Sequence, residues 1–157
     1  MIIRPVSEAD IPKWTALSRE YDRYILELVS DLSEWYGGND TSPAFDEYMT
    51  AKIRQREAFI AVDETDINLG IIAFSKKHNR ITFFGVSHRF DFYVVGRELI
   101  RFALAELDDA KPVYIGKIAG SSPFIRQFRE LYLTLGFTFS HSATENGVPV
   151  NKYVRVP

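Results

Sequence analysis

The chain has 157 residues, enough for one domain with a sizeable core, and its 46% hydrophobic and 25% charged content is that of an ordinary soluble globular protein. It has no cysteine, which excludes disulfides, thiolate zinc sites and a cysteine nucleophile. A net charge of −2 argues against a general nucleic-acid binder, but residues 1–50 hold ten Asp/Glu against four Lys/Arg, a net of −6, while the rest hold eleven against fifteen, a net of +4. Such a split suits a cationic substrate on one side and an anionic ligand on the other; an unevenly solvated surface is the plainer explanation.

MIIR at the N-terminus reads as a short strand, and Pro5 and Ser7 set up a helix start with Glu8 and Asp10 in its first turn. The opening residues lack the apolar stretch of a signal peptide, and no apolar run reaches membrane-spanning length. With the absent cysteines, these features predict a cytoplasmic protein without a membrane partner. Helical spacing continues through Trp14, Leu17, Tyr21, Ile25, Leu28, Leu32 and Trp35 and stops at Gly37-Gly38. A second helix is expected from about Pro43 to Arg54, with Phe45, Tyr48, Met49 and Ile53 as its apolar stripe.

The runs AFIAV (58–62), LGIIAFS (69–75) and ITFFGV (81–86), joined by short polar turns, read as an antiparallel meander. A helix is predicted over 96–107, where Leu99, Ile100, Ala103, Leu104 and Leu107 share a face. PVYIGKI (112–118) reads as a strand, and Gly120-Ser121-Ser122-Pro123 as a helix start. The helix beyond it carries Phe124, Ile125, Phe128, Leu131, Tyr132 and Leu135 on one side. FTFSHS and VNKYVRV close the chain as a hairpin. The expected fold is therefore a single α/β domain over 1–157: a mixed, mostly antiparallel sheet of six to seven strands with helices on both faces. Both strand–helix–strand crossings are expected to be parallel. Phe74, Phe83, Val86, Leu99, Ala103, Ile115, Phe128 and Leu135 are the predicted core.

This element order resembles that of the GNAT superfamily of acyl-CoA-dependent N-acyltransferases, and three stretches carry the resemblance. IIRPVSEADIPKWTAL is similar to the family's first strand and helix. VSHRFDFYVVGRELIRFAL (86–104) lies where the family has its acyl-CoA motif, a strand followed by a Gln/Arg-x-x-Gly-x-Gly/Ala loop and a helix. YLTLGF (132–137) resembles its Tyr-x-x-x-Gly-Phe helix ending. Spacing from Val86 maps the loop onto Asp91, Phe92, Tyr93, Val94, Val95 and Gly96, of which Gly96 alone keeps the family residue. Asp91 would bring a carboxylate towards two phosphates, which Arg89, Arg97 and Arg101 could offset. A β-branched Val94 would be strained if that position needs positive φ.

The resemblance implies transfer of an acetyl group from acetyl-CoA, without a metal, to a primary amine of a small molecule or peptide; a homodimer is compatible with it. It implies carbonyl polarisation by a backbone N–H near Val86 and a pyrophosphate over 91–97. It further implies a proton for the departing thiolate from Tyr132, a residue that helical spacing places equally well in the core. The motif strand has no acid or histidine. His88, just past it, is the candidate base, or a plain surface residue. Glu34 and Tyr36 are candidates for an acceptor pocket, or a solvated helix end. Ser122 either faces the cofactor or simply caps its helix. A non-catalytic domain that kept the fold and serves as a ligand-binding or interaction module is the alternative reading.

Overall fold

A computed structural model gives the fold and describes residues 1–28, 50–145 and 148–157. The expected helical continuation through Leu32 and Trp35, its stop at Gly37-Gly38, the residues Glu34 and Tyr36 and a helix start at Pro43 lie outside the described residues. The elements are β1 (Ile2–Pro5), a 3₁₀ turn (Glu8–Asp10), α1 (Ile11–Leu28), α2 (described over 50–55), β2 (Ala58–Val62), β3 (Asn68–Ser75), β4 (Arg80–Val86), α3 (Phe92–Glu106), β5 (Val113–Ile118), α4 (Pro123–Thr134), β6 (Thr138–Glu145) and β7 (Val148–Arg155). No described helix is long and apolar enough to cross a membrane.

The strands form one open, seven-stranded sheet in the order β1-β2-β3-β4-β5-β7-β6. Every neighbouring pair is antiparallel except β4–β5. The first crossing, β4–α3–β5, is parallel as expected. In the second, β6 runs in the same direction as β5, but β7 inserts between them and pairs antiparallel with both. AFIAV is buried at every position, as a central strand covered on both faces requires. On one face α1 sets Trp14 5.9 Å from Phe83 between ring centroids. On the other, Phe102 of α3 lies 4.5 Å from Phe59, and Phe128 of α4 lies 5.8 Å from Phe84. Of the predicted core, Phe74, Val86, Leu99, Ala103, Ile115 and Phe128 are buried, while Phe83 and Leu135 are half-buried against it.

One irregularity in β4 redirects the strand. Ala73 pairs with Phe83 but its neighbour Phe74 pairs with Ile81, so Thr82 is an extra residue on β4. Such a bulge bends its strand and increases the local twist. It falls directly after Ile81, which pairs with Ile115 of β5. Beyond Arg80↔Tyr114 and Ile81↔Ile115 the β4–β5 ladder goes no further among the described residues. The carboxyl halves of the two central strands therefore part.

The start of the chain is fastened by Asp10, which is 3% exposed. Its two carboxylate oxygens accept from the Arg4 guanidinium at 2.5 and 2.8 Å, and Oδ2 also accepts from the Ser7 N–H and hydroxyl at 2.9 and 3.0 Å. The guanidinium above all holds the Asp10 carboxyl at about 2, below its ordinary 3.8. Because the native value is the lower one, this stabilisation is complete above the ordinary carboxylate range and is lost as pH falls through about 2. Asp10→Asn should cost about 2 kcal/mol of stability at neutral pH, measured by urea unfolding. The gap between wild type and variant should close in acid, and a gap that persists there would remove the charge from the explanation.

Candidate active site

The site is built where β4 ends. Spacing in the sequence places a loop over 91–96 and begins the helix at Gly96; the structure begins α3 four residues earlier, at Phe92. The cause is Asp91. Its backbone is extended, and its carboxylate Oδ1 accepts from the N–H groups of Tyr93 and Val94, both at 3.0 Å. Those are orphan donors of the first helical turn, and an Asp side chain is well suited to cap them. Val94 is therefore an exposed helical residue, and the strain expected from positive φ does not arise: the non-glycine residues with positive φ are Arg56, Asp66 and Asn79 among the described residues.

The structure gives Gly96 a packing reason. It sits buried inside the helix, and a Cβ there would lie 2.7 Å from Leu131 Cδ2 and 2.9 Å from Phe84 Cζ. The glycine lets α3 seat directly on α4 and β4. Around that seat Phe92 packs 4.8 Å from Phe128 and 6.0 Å from Phe84, while Val95 is buried beneath. Tyr93 donates its hydroxyl to Glu130 Oε2 of α4 at 2.7 Å, and this bond raises the phenol above its ordinary value. The N-terminus of α3 thus has one carboxylate on its N–H groups and a second tied to its first turn. The arginines are spread out: Arg89 stacks loosely on Phe90 at 6.0 Å, Arg101 lies 3.9 Å from Glu98, and Arg97 is half-buried on α3.

Past the parted ends of β4 and β5, His88 acquires a partner that no sequence pattern announces. Glu20 Oε1, on α1, accepts from the His88 backbone N–H at 2.7 Å and meets ring Nδ1 at 2.5 Å. An ionised carboxylate is only an acceptor, so Nδ1 carries the hydrogen, and in a neutral ring Nε2 then keeps its lone pair. Sixty-eight residues separate the two groups, so no local signal links them. Val86, the last residue of β4 and two before His88, is buried.

Tyr132 is 1% exposed, its ring flanked by Tyr153, Phe137 and Phe128 at 5.4, 6.0 and 6.3 Å. Ser122 is the N-cap of α4, its hydroxyl accepting from the Ile125 N–H at 3.3 Å. Among the described residues no group of three or more His, Asp or Glu is placed to hold a metal ion.

The seven-stranded mixed sheet with its helices on both faces has the GNAT acyl-CoA N-acyltransferase fold. A GNAT-family acetyltransferase from Streptococcus agalactiae 2603 matches with a TM-score of 0.70 and 11% identity, over 99% of this chain and 95% of that one. The NatC complex bound to Gag peptide and CoA matches at 0.66 and 14%, over 99% and 98%. Chaetomium thermophilum Naa20 in complex with a bisubstrate analogue matches at 0.64 and 12%, over 99% and 86%. No family's sequence model and no curated protein matches the chain.

Gly96→Ala tests the seat of α3. The methyl group would overpack two buried side chains, a cost of about 1–3 kcal/mol, set against about 1 kcal/mol gained in helix propensity. A net loss of stability in denaturant unfolding is expected; a gain would mean that Leu131 and Phe84 yield freely.

Proposed function

We propose that the protein is an acetyl-CoA-dependent N-acyltransferase acting on a primary amine of a small molecule or peptide. The observation that carries this reading is the parting of β4 from β5 after Ile81 and Ile115, beside a histidine–carboxylate pair. The opening suits the flexible arm of the cofactor. Residues 91–97, Val86, Arg89 and Ser122 would hold the remainder, with the pyrophosphate over the first turn of α3. The fit requires one rearrangement: the Asp91 carboxylate must leave the N–H groups of Tyr93 and Val94 so that phosphate oxygens can replace it. Acetyl-CoA supplies the acyl group already activated as a thioester.

The chain's own groups then have separate tasks. His88 Nε2 takes a proton from the acceptor amine, while Glu20 holds the ring by Nδ1 and stabilises the imidazolium. A backbone N–H near Val86 polarises the acyl carbonyl, and Tyr132 gives its phenolic proton to the leaving sulfur. The acidic N-terminal third favours a cationic acceptor. The Gag peptide and CoA bound by one protein of this fold support a peptide amine among these acceptors.

A specific observation favours the second reading, a non-catalytic ligand-binding or interaction domain. The α3 N-terminus is already capped by the protein's own carboxylate, and the phenol of Tyr132 sits in an aromatic enclosure.

Thermal shift with acetyl-CoA and with free CoA separates the two, since binding to the native state raises the melting temperature by mass action. Acetyl-CoA is expected to raise it, and no shift at saturation sinks the enzyme reading. Asp91→Gly removes the carboxylate at a helix-capping cost of only a few tenths of a kcal/mol, so acetyl-CoA should bind more tightly to that variant. Tyr132→Phe keeps the ring and should lower the rate of the chemical step by about 10²–10⁴-fold with acetyl-CoA affinity unchanged. A lower melting temperature with an unaltered rate per folded molecule would make Tyr132 a structural aromatic.

A further inference from the structure

Apart from the parted strands, the molecule has a second concavity. A pocket of about 410 Å³ lies between α4 and the sheet face formed by β5, β7 and β6. None of its lining residues comes from α3 or β4. Strand register explains its floor: Lys117 is level with Asn151, and Tyr153 is level with both Ile115 and Phe139, so these side chains share a face. α4 crosses above and contributes Ile125, Arg126, Arg129 and Leu133.

The lining is amphipathic and of one charge sign. Lys117, Arg126 and Arg129 are its charged members, and no Asp or Glu lines it among the described residues. Neither Arg126 nor Arg129 makes a side-chain ion pair with a described residue. The Asn151 carbonyl oxygen already accepts from the Ser142 hydroxyl at 3.1 Å, which turns its amide N–H₂ to donate elsewhere. Ile125, Leu133, Phe139 and Tyr153 supply apolar wall, and Leu133 and Phe139 are 47% and 55% exposed, unusual for such side chains beside a concave surface. The volume is within the range of small-molecule sites.

We infer that this pocket binds a small organic oxyanion, its carboxylate or phosphate group held by Arg126, Arg129, Lys117 and the Asn151 amide and its apolar body laid against Leu133, Phe139 and Tyr153. Guanidinium groups are the side chains best matched to such a head group.

Lys117 makes the site sensitive to pH. Its ammonium lies 3.8 Å from the centroid of Phe128 and 5.2 Å from that of Phe124. Those ring faces attract the charged form, but burial outweighs them and holds the amine at about 7, below its ordinary 10.5. The other groups around the pocket are Arg126 and Arg129 from α4, Tyr153 and Asn151 from β7, and uncharged Phe139 from β6. Tyr153 is raised by burial and stays neutral over this range. An oxyanion favours the ammonium, so binding takes up a proton and strengthens as pH falls through about 7.

The test uses benzoate, which keeps one charge over this range, phenyl phosphate, and phenol as the same body without the anion. Melting temperature and calorimetric titration are measured at millimolar probe concentration, at a pH one unit either side of neutrality. Benzoate, phenyl phosphate or both should bind and phenol should not, with the preference between head groups naming the source of the oxyanion. Benzoate should bind several-fold more tightly on the acid side. The double variant Arg126→Gln, Arg129→Gln changes only exposed side chains, so it should fold as the wild type and lose roughly tenfold or more in affinity. The proposal is overturned if neither anion binds, if phenol binds as well as they do, or if the double variant binds with unchanged affinity. None of these outcomes depends on whether acetyl-CoA binds.

Discussion

A side chain at residue 96 would press on Leu131 and Phe84, and the packing of α3 at the molecule's centre is arranged around that constraint. With a glycine there, α3 sits directly on Phe84 of β4 and Leu131 of α4. That seat draws Phe92, Phe128, Phe124 and Tyr132 into one run of ring contacts. It also places the first turn of α3 just beyond the end of β4. The strand arrives at this point already bent, because Thr82 is an extra residue in its ladder with β3. The bulge lies where the β4–β5 ladder stops, and the opening there is the feature on which the functional reading rests.

The same geometry sets up a competition at the helix terminus. An α-helix presents unpaired N–H groups and a positive dipole end, and something negative must satisfy them. Here Asp91 does so from within the chain. A nucleotide phosphate would make the same bonds, so a ligand at this site would bind in exchange for a cap rather than into a vacant cradle. Its affinity would be lowered by whatever the cap contributes, about 1 kcal/mol for a good N-cap residue. Elsewhere in the molecule, Lys117, Arg126 and Arg129 meet on the far flank of α4 with no acid among the described lining residues.

Much of this fold is legible in the sequence, because its signals are local. Three apolar runs with short polar turns give the meander, and 3.6-residue spacing gives the interior of α3 and α4. Gly96 stands out in the sequence but its purpose does not: a glycine required for packing and one required for a ligand look identical there. The start of α3 is misplaced by spacing for a related reason. Asp91 is an ordinary capping signal, but matching the segment to a glycine-rich loop overrides it. The insertion of β7 between β5 and β6 has no local signature, since strand order depends on which edges meet. Glu20 is invisible because its partner is far along the chain. Lys117 is not: in VYIGKI the inward positions are Val113, Ile115 and Lys117, and a charged residue in that alternation marks either a misread strand or a site.

At the centre of this account is the claim that a phosphate-bearing cofactor must displace Asp91 from α3. Backbone amide resonances followed by NMR during an acetyl-CoA titration address it directly. The account predicts that the Tyr93 and Val94 amides shift with saturation, together with the side-chain carboxyl carbon of Asp91 as it loses its two N–H partners. Saturable binding that leaves those three signals in place would contradict it and put the ligand elsewhere on the molecule.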